Sequence, residues 1–182
     1  MADFNKAVEK TLNLEKGYVN NPNDHGGETN WGITKATAQA YGYKGDMKDL
    51  KREEATAIYK KGYWDTFQLD KVRNQLIAEN IFDVHVNGGT PIVWAQRALN
   101  TININEHGKR LWKDIKVDGK IGPITLGILN TITEGGFLEE IYLKVFNAFR
   151  TYYFVLLSEK SITQKEFVHG WIAHRVWLDV RE

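Results

Sequence analysis

The sequence predicts a mainly α fold with little or no strand. Three observations carry that expectation. Apolar residues recur at three- and four-residue spacing through most of the 182 residues. Glycine and proline punctuate those stretches, as at Gly42, Gly45, Pro91, Pro123 and Gly135-Gly136. An apolar content of 42% calls for a real core and argues against disorder.

Taken in order, residues 3–15 read as a helix that Asp3 caps, with Phe4, Ala7, Val8, Thr11 and Leu12 on one face. Gly17 is its stop. Residues 18–33 read as loop with a short hairpin around Gly26-Gly27, and Gly26, Gly27 and Gly32 permit backbone shapes that other residues resist. Thr34 caps a helix over 35–42, and Lys51–Lys61 resumes the pattern with Ala55, Ile58 and Tyr59 on one side. After the aromatic cluster Tyr63, Trp64, Phe67, residues 73–87 form a strong helix that ends at Asn87-Gly88-Gly89. Pro91 opens a helix to about Ile104, and 106–116 is polar loop. Asp118-Gly119 makes a turn into a helix from Pro123 to Thr133. A long helix covers Phe137–Glu159, and Ser161 or Thr163 caps a last one through Val180.

Composition narrows the function. Lys plus Arg is 24 against 23 Asp plus Glu, a net +1, which offers no electrostatic case for a nucleic acid partner. There is no cysteine, hence neither disulfide nor thiolate chemistry. The start MADFNKAVEK lacks the basic and apolar regions of a secretory signal, and no apolar run is long enough for stable membrane insertion. The expectation is a chain made in the cytoplasm, monomeric, that acts outside only if something else releases it. Six tryptophans could stack on sugars, although core packing is the usual use of an aromatic ring.

The stretch Glu15–Thr34 holds the most polar chemistry. Glu15 ends the first helix beside Tyr18 and Trp31, where burial would raise its pKa and keep a proton available. Glycoside hydrolysis needs such an acid on the leaving oxygen, with a second group across the cleft. Asp24 and Thr29 could supply it, positioning water or stabilising charge. The same residues also read as ordinary turn formers around a surface charge.

The motifs Glu15-Lys16-Gly17-Tyr18, Asn21-Pro22, Asp24, Gly26-Gly27, Thr29 and Gly32-Ile33-Thr34 resemble the N-terminal signature of glycoside hydrolase family 108. Position 16 carries Lys where the usual form has Gly. Members are lysozyme-like N-acetylmuramidases of phage endolysins and prophages, and some are described as secretion activators. The order Glu, Asp, Thr is also similar to the catalytic trio of phage T4-type lysozymes. Trp94-Ala-Gln96-Arg-Ala-Leu99-Asn100, Val117-Asp118-Gly119 and Gly122-Pro123-Ile-Thr125 resemble the peptidoglycan-binding module that follows the hydrolase. From the residues alone that second motif is a turn and a helix start.

The resemblance implies a lysozyme-like α+β fold, two-lobed, with a glycan cleft. It implies a catalytic region over 1–89 and a helical peptidoglycan-binding-like region over 90–182, packed as one unit. The implied activity is a muramidase that cuts the β-1,4 bond between N-acetylmuramic acid and N-acetylglucosamine. Glu15, Asp24 and Thr29 are then catalytic, and Tyr18, Asn20 and Trp31 line the sugar subsites. The alternative is a non-catalytic peptidoglycan-binding or secretion-assisting protein on the same fold.

Neither a cofactor nor a metal is expected. The five histidines are scattered, and Asp83 and His85 stand two apart, off a common helix face. Asp83 and Asn87 share a face, either lining the cleft or hydrogen-bonding in the core, with the core reading favoured.

Overall fold

A computed structural model describes residues 1–14, 17–20, 27–160 and 162–176. The described chain is mainly α, as its periodicity predicts, with one small sheet. It divides into two compact units, Asp3–Asp70, and Lys71–Glu182 together with Met1–Ala2.

In the first unit, α1 spans Phe4–Leu14. Its Ala7, Val8, Thr11 and Leu12 are buried, and Asp3 caps it by accepting from the Asn5 N–H at 2.8 Å. Three two-residue strands follow: β1 (Tyr18–Val19), β2 (Thr29–Asn30) and β3 (Ile33–Thr34). They pair antiparallel in chain order, with Tyr18 opposite Asn30 and Asn30 opposite Ile33. Two hairpins therefore replace the single one expected. Residues 20–28 join β1 to β2, and Trp31-Gly32 joins β2 to β3.

Thr34 caps α2 (Lys35–Ala40), its Oγ1 accepting from the Thr37 N–H. A 3-10 turn, Met47–Asp49, leads to α3 (Arg52–Tyr59). The pattern predicted helix through Lys61, but the chain widens into a π turn over Lys60–Trp64. Gly62 lies in that turn, where a Cβ would come within 2.6 Å of the Tyr41 hydroxyl. Trp64 is fully buried, edge-on to Phe4 with centroids 5.6 Å apart.

The second unit contains α4 (Gln75–Val86), α5 (Pro91–Thr101), α6 (Pro123–Leu129), α7 (Phe137–Lys160), α8 (Ile162–Lys165) and α9 (Val168–Arg175). Three expected helix ends move. The α5 helix stops short of Ile104 because Leu111 N donates to Asn103 O and Ile104 bridges Arg110, turning the chain back. The α6 helix stops short of Thr133 because Thr131 N and Ile132 N close tighter turns onto Ile128 O and Leu129 O, while the Asn130 side chain accepts from Arg73 N and donates to Lys71 O. The single last helix is divided at Phe167, whose ring stacks on Trp171 while Trp171 stacks on Phe154 of α7. The cap expected at Ser161 or Thr163 and the stretch from Trp177 onward lie outside the described side chains.

The motif running from Gln96 to Thr125 is built around one face of α5. Gln96 is 1% exposed. Its Nε2 donates to Asp118 Oδ1 at 2.9 Å and Lys120 O at 3.1 Å, and its Oε1 accepts from the N–H groups of Asp118 and Gly119. One turn on, Asn100 Nδ2 donates to Ile115 O and its Oδ1 accepts from Ile115 N, both at 2.8 Å. Two amides four residues apart thus hold the whole loop by its backbone.

Asp83 belongs to the core and is 5% exposed. Its Oδ1 accepts from Arg175 Nη1 at 3.0 Å, and its Oδ2 stands 3.5 Å from Arg150 Nη1. Asn87 donates to the Asp83 carbonyl. No helix among the described residues is long and apolar enough to cross a membrane.

Candidate active site

The three-stranded sheet organises the candidate site. Of the residues expected there, Glu15 and Asp24 lie outside the described residues. Tyr18, Thr29 and Trp31 lie on the strands and their tight turn, and Asn20 directly follows β1.

Asn30 fixes the sheet to the unit's interior. It is buried, and its Nδ2 donates to Met47 O at 2.7 Å. Because side chains alternate along a strand, burying Asn30 turns its neighbour Thr29 to the other face. Thr29 is half-buried, and its hydroxyl donates to Gly27 O at 3.3 Å.

Trp31 has φ 53° and Gly32 φ 74°, the pair of positive values that a two-residue hairpin turn needs. Gly accepts this readily, whereas a bulky residue there carries strain of about 1–3 kcal/mol. Two hydrogen bonds hold Trp31 in place. The buried Tyr59 hydroxyl donates to Trp31 O at 3.0 Å, and Trp31 Nε1 donates to Leu50 O at 3.0 Å. With its N–H committed to the scaffold, the half-buried indole offers a fixed ring.

Glu28 is the residue sequence reasoning missed. Extending the β2–β3 register by one pair beyond Thr29–Thr34 sets Glu28 opposite Lys35. Lys35 Nζ pairs with Glu28 Oε2 at 2.6 Å, and the Tyr18 hydroxyl donates to Oε1 at 2.8 Å. Lys35, then Tyr18, holds the Glu28 carboxyl below its ordinary range. The hydrogen bond to Glu28 raises the Tyr18 phenol, and a weaker bond from Asn20 pulls it down. Glu28 is therefore an ionised clamp between β1 and α2, with no proton to give near neutral pH. The only sequence-level signal was the hairpin register, which is invisible until the Trp31-Gly32 turn is known.

Comparison with protein families gives two adjoining matches. Residues 8–89 match the family described as glycosyl hydrolase 108, and residues 90–176 match the predicted peptidoglycan domain. The family boundary falls after residue 89, whereas packing divides the chain after Asp70. Comparison with curated protein sequences gives no match. Among solved structures, the chain is similar to Brucella abortus SagA, with TM-score 0.71 and 24% identity over 96% of this chain and 90% of that one. That likeness concerns the fold. Each family match covers a little under half of the chain, so the chain is similar to glycosyl hydrolase 108 over residues 8–89 and to the predicted peptidoglycan domain over residues 90–176.

Proposed function

We propose that the chain is a muramidase that hydrolyses the β-1,4 bond between N-acetylmuramic acid and N-acetylglucosamine. Glu15, directly after α1, is the general acid that protonates the bridging oxygen. Asp24 and Thr29 position water or stabilise the oxocarbenium-like centre. Tyr18, Asn20 and Trp31 contact the sugars. The catalytic region spans 1–89 and the peptidoglycan-binding-like region 90–182. This chemistry uses neither metal nor cofactor. The protein works as a monomer on glycan strands after release from the cytoplasm.

The observation that supports this reading is the sheet itself. Within the region matched to glycosyl hydrolase 108, Tyr18, Asn20, Thr29 and Trp31 stand on or next to adjacent strands. In sequence, residue 15 shortly precedes the first of those strands and residue 24 lies between the first two. Glu28, already ionised and paired, serves the geometry and leaves proton donation to Glu15.

The test is Glu15→Gln, which keeps shape and removes the proton donor. Reducing-end release from purified peptidoglycan should fall about a thousandfold, within the usual worth of a general acid. Undiminished release would sink the assignment. A parent protein that sediments with cell wall yet liberates no reducing ends would instead be a binder.

A further inference from the structure

The Gln96–Asn100 clamp leaves a groove of about 700 Å³ beside the loop it holds. Trp112, Ile115, Ile124 and Ile128 line it with hydrocarbon. Ile124 is 71% exposed and extends that hydrocarbon to the surface. The indole N–H of Trp112 donates to Leu99 O, which leaves the groove without that donor.

The rim carries both signs of charge with one more cation than anion. Lys113, Lys116 and Lys120 also line the groove, and all three are exposed. None has an ion-pair partner among the described residues. The lining also holds the carboxylates Asp114 and Asp118, so three ammonium groups stand against two carboxylates, and Lys116 and Lys120 act on Asp118 through space. Asp118 accepts from Gln96 and from Lys120 N, and Asp114 accepts from Asn103 and stands 3.7 Å from Arg110.

We propose that this groove binds the peptide stems of peptidoglycan rather than its sugars. The proposal rests on the reading of the chain as peptidoglycan-directed and adds which part of the polymer the second unit recognises. The glycan strand carries no free charge once its lactyl groups are amide-linked to peptide. The stems carry short apolar side chains and the wall's free carboxylates. An aliphatic floor with more ammonium groups than carboxylates around it matches the second chemistry. Sugar recognition favours flat rings surrounded by paired polar groups, and the Gln96 amide and Asp118 carboxylate here are already tied to the loop.

The test is titration of the full-length chain with the free stem tetrapeptide, the same peptide with its carboxylates amidated, and a peptide-free glycan oligomer. The free peptide should bind. Binding should weaken about tenfold with amidation, and comparably in a Lys113→Gln, Lys116→Gln, Lys120→Gln variant, with a loss of salt dependence. Ile124→Asn should weaken it without changing the circular dichroism spectrum, since that side chain is exposed. Preference for the glycan oligomer, no binding of either probe, or full affinity in both variants would overturn the proposal. Each readout is binding, so failure here is separate from failure of Glu15→Gln to abolish hydrolysis.

Discussion

Glu28 shows how a charge can be recruited to geometry. Its two oxygens tie Tyr18 of β1 to Lys35 at the start of α2. Its carboxyl pKa is lowered from an ordinary value of 4.5, so the clamp contributes stability above that pH and loses it as pH falls through the lowered value. Lys35 is raised, so its share is present below its ordinary 10.5 and fades only as pH rises through the raised value. A melting series from neutral to acid pH should therefore show an acid-side loss that Glu28→Gln lacks, and added salt should shrink the difference. Identical acid profiles would refute the clamp. Trp31 stores strain beside it, and neither residue's part was legible in advance. The tryptophan hides a turn that an Asn-Gly would have announced, and the Glu28–Lys35 pairing depends on that turn's register.

At the level of elements, α5 is both a packing helix and the spine of a loop. Trp94, Ala95, Ala98 and Leu99 face the interior, while Gln96 and Asn100 hold residues 115–120. Gln96→Leu preserves size and leaves the N–H groups of Asp118 and Gly119 without their acceptor. A cost of about 2–4 kcal/mol in urea unfolding is expected, with a change in Trp112 fluorescence as the loop loosens. A cost below about 1 kcal/mol would mean that the loop holds itself. The Asp118-Gly119 turn and the helix start at Pro123 were readable because each depends on adjacent residues. Gln96 as their common partner, 22 residues from Asp118, was not.

At the scale of a whole unit, the cluster Asp83, Arg150, Arg175 joins α4, α7 and α9 across 92 positions of chain. Arg150 also donates to Asn80 O at 2.9 Å and to Arg175 O. Burial lowers the Arg150 guanidinium to about 10, which keeps it charged at neutral pH. Two buried cations then lean on one carboxylate. Asp83→Asn removes that counter-charge and should destabilise the protein by about 3–5 kcal/mol in denaturant unfolding, while wall binding by intact folded protein persists. A loss under about 1 kcal/mol would refute the cluster's structural role. The sequence placed Asp83 and Asn87 on one helix face, with the core favoured over the cleft, but neither arginine could be named as partner from spacing.

The sequence by itself determined a mainly α chain and its helix starts, because capping, turn chemistry and helical periodicity act within a few residues. Tertiary structure decided the second hairpin, the ionised Glu28, the Gln96 clamp and the buried arginine pair. Each of these is a contact between residues far apart in the chain. Such contacts depend on register and burial, which no local pattern of residues encodes.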